Sequence, residues 1–491
     1  MPPGTQTRFD LGGDRVRLAQ RARNALWWRT ASHHARVAAA PTGQAVYGPR
    51  LPDDTTVHSV LDLALRIGEV QLASGAGAAD VTATMLAVTN AYGLPRCEVD
   101  VIFTSITVCC HRGTEAAPVT SVRVVRSRSH DYTRLASVEH LVREITAGRT
   151  STADAHAELD RITTAPHPYP RWVATTAWAG MAAAVAALLG GGLVLALIAA
   201  AVTAVIDRVG RVLNRRALPF FFQQAVGGAL ATGIALGLHA TGLLPAHVRP
   251  SLVVAAGIVV LLSGLSLVGA VQDAITGFNV TAAGRAMELT LMSTGLVAGV
   301  VLALRAGVAL GAWVSITDPL PPMPADLPLM VAAGAATSAC FALASYATPR
   351  ALLVAGAAGA AGLASYGALS LVGADVVIAS AGAATLVGFA GGLVSRRLRV
   401  PPLVVAVSGI TPLLPGLTTY RGLSQLVVGN DVGGGLSTLL VALGIALALA
   451  AGVVLGEYLA QPVRTRLGRL ERRLAGPRLS GPLRPARRPL E

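Results

Sequence analysis

The residues of this 491-residue chain best suited to chemistry sit inside or beside apolar runs. Asp273, Arg285 and Glu288 gather around one predicted turn, with Glu288 three residues after Arg285 on one helical face. A charge at mid-bilayer costs about 2.5 kcal/mol or more and commonly marks a pathway. A second group stands at Pro412, Pro415 and Gly416, with Tyr420 and Arg421 just beyond. Prolines within an apolar run break the helix, and the peptide groups they free are tolerated at membrane depth only against protein or a watery cavity. Together the two groups offer what a zwitterion needs. Asp273 or Glu288 could hold an ammonium, and Arg421 or the amides of a half-helix after Gly416 could hold a carboxylate. Asp273 or Glu288 could also carry a coupling proton. A local salt bridge between Arg285 and Glu288 and a simple proline kink are the structural alternatives. Arg305, Asp375 and Glu457 lie near predicted span ends, where snorkelling predicts a structural role.

Other chemistry is thinly represented. Neither a GxSxG elbow nor an HExxH motif occurs. Ser74 and Glu69 are the one tempting nucleophile and base, and capping or packing explains both. Cys97, Cys109, Cys110 and Cys340 show no CxxC pairing and no His at ligand spacing, so they read as buried thiols, with no metal or cofactor expected.

The elements that must position these residues follow from composition. The chain is 53% hydrophobic and 13% charged, with mean hydropathy +0.58, against about 25% charged residues in soluble proteins. Ala, Val, Leu and Gly dominate and aromatics make up 4%, which suits helices packed closely in lipid through small side chains. The net charge of +14 comes wholly from Arg. It concentrates in the tails and short loops, pointing to anionic lipid headgroups and away from nucleic acid.

Residues 1–56 read as a flexible basic arm without a signal-peptide core. Residues 57–165 read as a small α+β cytoplasmic domain. Two helices, from Val60 and from Asp80, precede β-branched strands at 98–104, 106–111 and 119–125, and helical spacing returns at 135–147 and 153–162. Residues 166–171 are a Pro-rich linker. About ten spans of membrane-crossing length follow, at 172–189, 191–206, 218–240, 251–271, 286–310, 327–347, 351–370, 375–394, 402–420 and 435–459. Arg208, Arg211, Arg215, Arg216, Arg285, Arg350, Arg396, Arg397 and Arg399 all fall in alternate connections, as does the basic tail at 461–491, which predicts both termini to be cytoplasmic.

The loop at 313–326 divides the spans into five (172–312) and five (327–460). The segment from Ser266 to Gly277 and that from Thr411 to Gly422 share a weak likeness, with Gly269 set on Gly416 and Asp273 opposite Tyr420. An odd number of spans per half would make the repeat inverted, the plan of many secondary transporters. The fold expected is therefore an all-α polytopic membrane domain in two five-helix repeats, preceded by the small α+β domain.

The stretch Leu61 to Glu69, with Ser74-Gly75-Ala76 and Tyr92-Gly93-Leu94-Pro95, resembles the threonine/serine exporter family. So do Asp273, Gly277, Arg285 and Glu288, and the run from Pro412 to Gly416 with Tyr420-Arg421-Gly422. The likeness covers roughly residues 57–460. It implies export of L-threonine and L-serine across the cell membrane, driven by the proton motive force, and it adds Gly277 to the substrate-binding set. The family's relatives also suggest a succinate-like dicarboxylate, and its soluble domain suggests a membrane-tethered hydrolase. A homo-oligomer is left open. Where the family's first repeat often has Pro-Gly this chain has Val268-Gly269, so the second broken helix is expected to dominate the site.

Overall fold

The computed structural model describes residues 53–112, 117–126, 130–245, 248–262, 264–311, 327–398, 400–427 and 431–460. The basic arm before residue 53, the loop at 313–326 and the tail at 461–491 lie outside the described residues.

Helix α1 (Asp54–Ala73) buries Val57, Val60, Leu61, Ala64 and Ile67 on one face, the stripe their spacing predicts. Gly75, at φ +95°, turns the chain into α2 (Ala78–Ala91). Strands β1 (Cys97–Ile102), β2 (Ser105–Cys110) and β3 (Val119–Val124) form an antiparallel meander in the order β1-β2-β3, with Val99 opposite Val108 and Thr107 opposite Val122. On β2, Ile106, Val108 and Cys110 alternate into the interior and are fully buried. Helix α3 (Tyr132–Thr146) is capped by Asp131, and α4 (Thr152–Thr164) by Ser151. These helices and the sheet share one core, and Phe278, from far along the chain, is buried in it.

The apolar region begins with α5 (Arg171–Leu188), α6 (Leu193–Arg215) and α7 (Phe220–Ala240). Next come α8 (Pro250–Gly257) with a 3₁₀ turn at Val259–Leu261, α9 (Gly264–Ile275) and the long α10 (Asn279–Ala309). The chain continues as α11 (Leu327–Ala344), α12 (Pro349–Leu371), α13 (Val376–Leu398), α14 (Pro402–Ile410) with a 3₁₀ turn at Thr411–Leu413, α15 (Gly416–Val427) and α16 (Val432–Leu459). Among the described residues seven helices are long and apolar enough to cross a membrane, or nine when each bent pair, α8 with α9 and α14 with α15, counts as one span. This is a multi-pass membrane protein. Of the ten spans expected, α5 is the one outside both counts.

The chain breaks twice, which corrects the expectation of one dominant broken helix. The first pair bends by 48° and the second by 44°. The first break falls between Leu261 and Gly264, not at Val268-Gly269. Gly264 begins the helix after the first break as Gly416 begins the helix after the second, whereas Gly269 lies within α9.

Helix packing depends on missing side chains. α7 lies along α10 and α13 along α16; α5 pairs with α6 and α11 with α12, while α5 and α11 also meet. A methyl carbon at Gly295 or Gly299 of α10 would sit 2.5 Å from the Phe221 carbonyl oxygen or 1.8 Å from that of Ala225. At Gly452 and Gly456 of α16 the distances are 2.6 Å to Ala381 and 2.2 Å to Thr385. Both pairs are four residues apart, the spacing that lets two helix backbones touch. Gly299→Leu or Gly456→Leu should lower stability by about 1–3 kcal/mol or prevent assembly through overpacking. Gly237→Leu, with nothing within 4 Å of an added carbon, should leave thermal unfolding in detergent unchanged.

Candidate functional site

The two breaks face each other. A methyl carbon at Gly264 would lie 2.9 Å from Leu414 Cβ and 3.1 Å from the Gly416 amide nitrogen, and one at Gly416 would lie 2.8 Å from Leu262 Cβ. Hence only glycine fits at either position. Helices α9 and α15 therefore begin side by side, and the unsatisfied amides of a first helical turn attract negative charge.

These ends open on a cavity of about 850 Å³ that continues to the 54–164 unit. Arg285, Glu288, Pro412, Pro415, Gly416 and Arg421 all line it; Asp273, Gly277 and Tyr420 do not. Arg421 is half-buried and makes no ion pair among the described residues, and its Nε is buried without a hydrogen-bond partner. A guanidinium in that condition is ready for an anionic ligand.

Asp273 is fully buried and already engaged. Its Oδ2 lies 2.8 Å from Arg285 Nη1, and its Oδ1 accepts a 3.0 Å hydrogen bond from the Ala78 amide at the start of α2. Arg285 Nη2 also donates to the Ala76 carbonyl at 3.3 Å. Gly277 has φ +89° and closes the α9 end, where the Phe278 amide donates to the Asp273 carbonyl at 2.8 Å. That is the left-handed position at which helices end on glycine. Tyr420 is buried with Val254, Ala256 and Leu296 and borders a small separate void.

The sequence reading did not place Glu457 or Gln224 at the site. Glu457 lines the cavity, although its place near a span end had suggested snorkelling. Gln224 also lines it; the residue is 8% exposed and its Oε1 has no hydrogen-bond partner among the described residues. An amide within the apolar span at 218–240 was the available signal, and attention to charged groups alone passed over it.

The nucleophile and base suggested for hydrolysis are occupied locally. The Ser74 hydroxyl donates to the Val70 carbonyl at 2.7 Å, and Glu69 accepts from Arg123. All four cysteines are free, with Cys110 buried and the others half-buried.

Residues 62–307 match a family model described as a threonine/serine exporter, and residues 330–459 match a second, "Threonine/Serine exporter, ThrE". The chain belongs to the threonine/serine exporter family. Within that family it is 44% identical over 425 residues to a Mycobacterium tuberculosis protein named "Probable threonine/serine exporter", covering 85% of this chain and 79% of that protein. It is 40% identical over 423 residues to the "Threonine/serine exporter" of Corynebacterium glutamicum, covering 85% of this chain and 86% of that one. No solved structure matches. The first exporter match ends within α10 and the second begins within α11.

The back-to-back breaks give a direct expectation. Gly264→Val and Gly416→Val should each reduce threonine efflux at least tenfold at equal membrane abundance. Gly210→Val, where an added carbon meets nothing within 4 Å, should export at the wild-type rate.

Proposed function

We propose that the protein is a secondary-active exporter of L-threonine and L-serine across the cytoplasmic membrane, using the proton motive force, and that substrate binds where α9 and α15 begin. The observation that carries this reading is Arg421, a cation with no ion-pair partner among the described residues, on the wall of a cavity that also reaches both helix breaks. The substrate carboxylate pairs with Arg421 and the first amides of α15, while Glu288, on the same wall, faces the ammonium. Pro412, Pro415 and Gly416 keep the amides out of a continuous helix. Gln224 offers an acceptor for the substrate hydroxyl. Glu288 and Asp273 are the coupling-proton candidates; a proton on Asp273 would weaken its hold on Arg285 and on the Ala78 amide.

In this reading the spans form two five-helix inverted repeats. Supporting it, α5 and α11 both have 18 residues and α6 and α12 both have 23. The partners α7 with α10 match α13 with α16, and α9 touches α16 as α10 touches α15. Pro250, Gly257, Ile258, Leu261, Leu262, Gly264 and Leu265 recur at constant spacing as Pro402, Gly409, Ile410, Leu413, Leu414, Gly416 and Leu417. Residues 57–165 form an α+β domain which, like both termini, lies in the cytoplasm on the Arg bias of the loops. Gly277 and Tyr420 belong to the site's frame, setting the ends and packing of the half-helices.

Proteoliposomes loaded with labelled threonine test the assignment. Efflux should accelerate with an imposed proton gradient, fall back to the downhill rate when it is collapsed, and be inhibited by serine far more than by succinate. Arg421→Gln should abolish efflux while inserting normally. An efflux rate that the gradient does not change, or wild-type efflux by Arg421→Gln, would contradict the reading. Replacing Gln224 by Leu should narrow the preference for threonine over 2-aminobutyrate, its analogue without the hydroxyl, by about tenfold or more.

A further inference from the structure

The cavity that reaches the helix breaks is walled on its other side by the 54–164 unit. Gln71, Gly75, Ala76, Asp80 and Thr84 line it alongside Gln272 and Arg285. A solute coming from that side must pass between this unit and the membrane helices, so the seam between them controls entry.

The seam has two unlike parts. Toward the second set of helices it is broad and apolar. Tyr132 and Leu135 are buried together with Phe341 and Ala351 of that set and with Met181 of α5. His167, in the linker to α5, stacks on Tyr346 at 4.3 Å, and the Tyr132 amide donates to the Ser345 carbonyl at 2.9 Å. Toward the first set, the contacts sit at three backbone termini. Asp273 supplies the carboxylate cap that α2 lacks, since its own N-cap residue, Gly77, has no side chain to give. Thr281, at the start of α10, accepts from the Phe103 amide at 3.0 Å and donates to the Val101 carbonyl at 2.8 Å. Phe278, between them, is buried in the unit's own core.

We infer that the face of the 54–164 unit made by the start of α2 and the β1–β2 turn is an interaction surface for the α9–α10 turn of the same chain. It acts as a lid that must part there, swinging on the Tyr132–Tyr346 side, each time a substrate enters. Asp273 and Arg285 are its positioning residues: they join the lid to α9, the half-helix that starts at the break, so movement of α9 and release of the lid are one event. A helix end capped from elsewhere in the chain suits this role. Breaking the contact uncaps α2 without unfolding the core beneath it, and remaking it restores both the cap and the ion pair.

The inference rests on the cavity being the substrate path. A methyl carbon at Gly284 would lie 3.4 Å from Phe103 Cβ, close to the Cβ separation of a disulfide. In the full-length double variant Phe103→Cys/Gly284→Cys, copper phenanthroline should form the bond in proteoliposomes. Threonine efflux should then fall at least tenfold, and dithiothreitol should restore it. The reduced double variant and Phe103→Cys alone should transport as wild type, which reports that they fold; Gly284→Cys alone is not used, since its Cβ would lie 2.9 Å from Phe103 Cδ2. Burial pushes the Cys97 thiol, on the neighbouring strand, up to about 12, so it stays protonated during oxidation. Full efflux with the disulfide closed would overturn the lid, and failure of the pair to oxidise would overturn the interface. Absence of threonine efflux from the wild type would instead strike the transport assignment itself.

Discussion

The peptide groups released where two apolar helices break are the constraint on which the rest of this structure depends. Lipid cannot satisfy them, so broken backbone survives at membrane depth only if protein or a watery cavity surrounds it. Here the two breaks lie against each other through Gly264 and Gly416, with no room for even a methyl carbon. The surrounding helices enclose them, held together where Gly295, Gly299, Gly452 and Gly456 let backbones touch. Glycines at these helix contacts thus make the enclosed breaks possible.

That arrangement concentrates polarity in a small volume. Two helix starts contribute amides, Arg421 contributes a cation with no ion-pair partner among the described residues, and Glu288 and Glu457 contribute carboxylates on the same wall. Asp273 and Arg285 stand apart from this group in function. Their ion pair reaches the start of α2 and ties the 54–164 unit to α9. On the reading proposed above, a substrate site and the lid that closes it are mechanically adjacent, which is the relation an alternating-access transporter needs.

Much of the fold was legible because apolar length is a strong signal: most predicted spans fall within a few residues of a helix or a bent pair. The second break was legible because Pro412 and Pro415 announce it. The first was not, because Leu262-Ser263-Gly264 contains no proline and one glycine in an apolar run is unremarkable in a membrane helix. The recurrence of Pro250, Gly257 and Gly264 as Pro402, Gly409 and Gly416 held the missing information, and the weaker likeness downstream drew attention to Gly269 instead. The contact that engages Asp273 could not be read from the sequence. Its partner amide belongs to Ala78, 195 residues earlier, and no local spacing encodes that meeting. Gln224 was hidden for a different reason, since a neutral amide does not stand out as a charge does.

The most direct test of the central claim is a cryo-EM map of the full-length protein in lipid nanodiscs with saturating L-threonine, compared with a map without it. The account predicts added density between the starts of α9 and α15, with one end at the Arg421 guanidinium. Threonine density on the 54–164 unit alone, or breaks packed without any ligand at saturation, would contradict it.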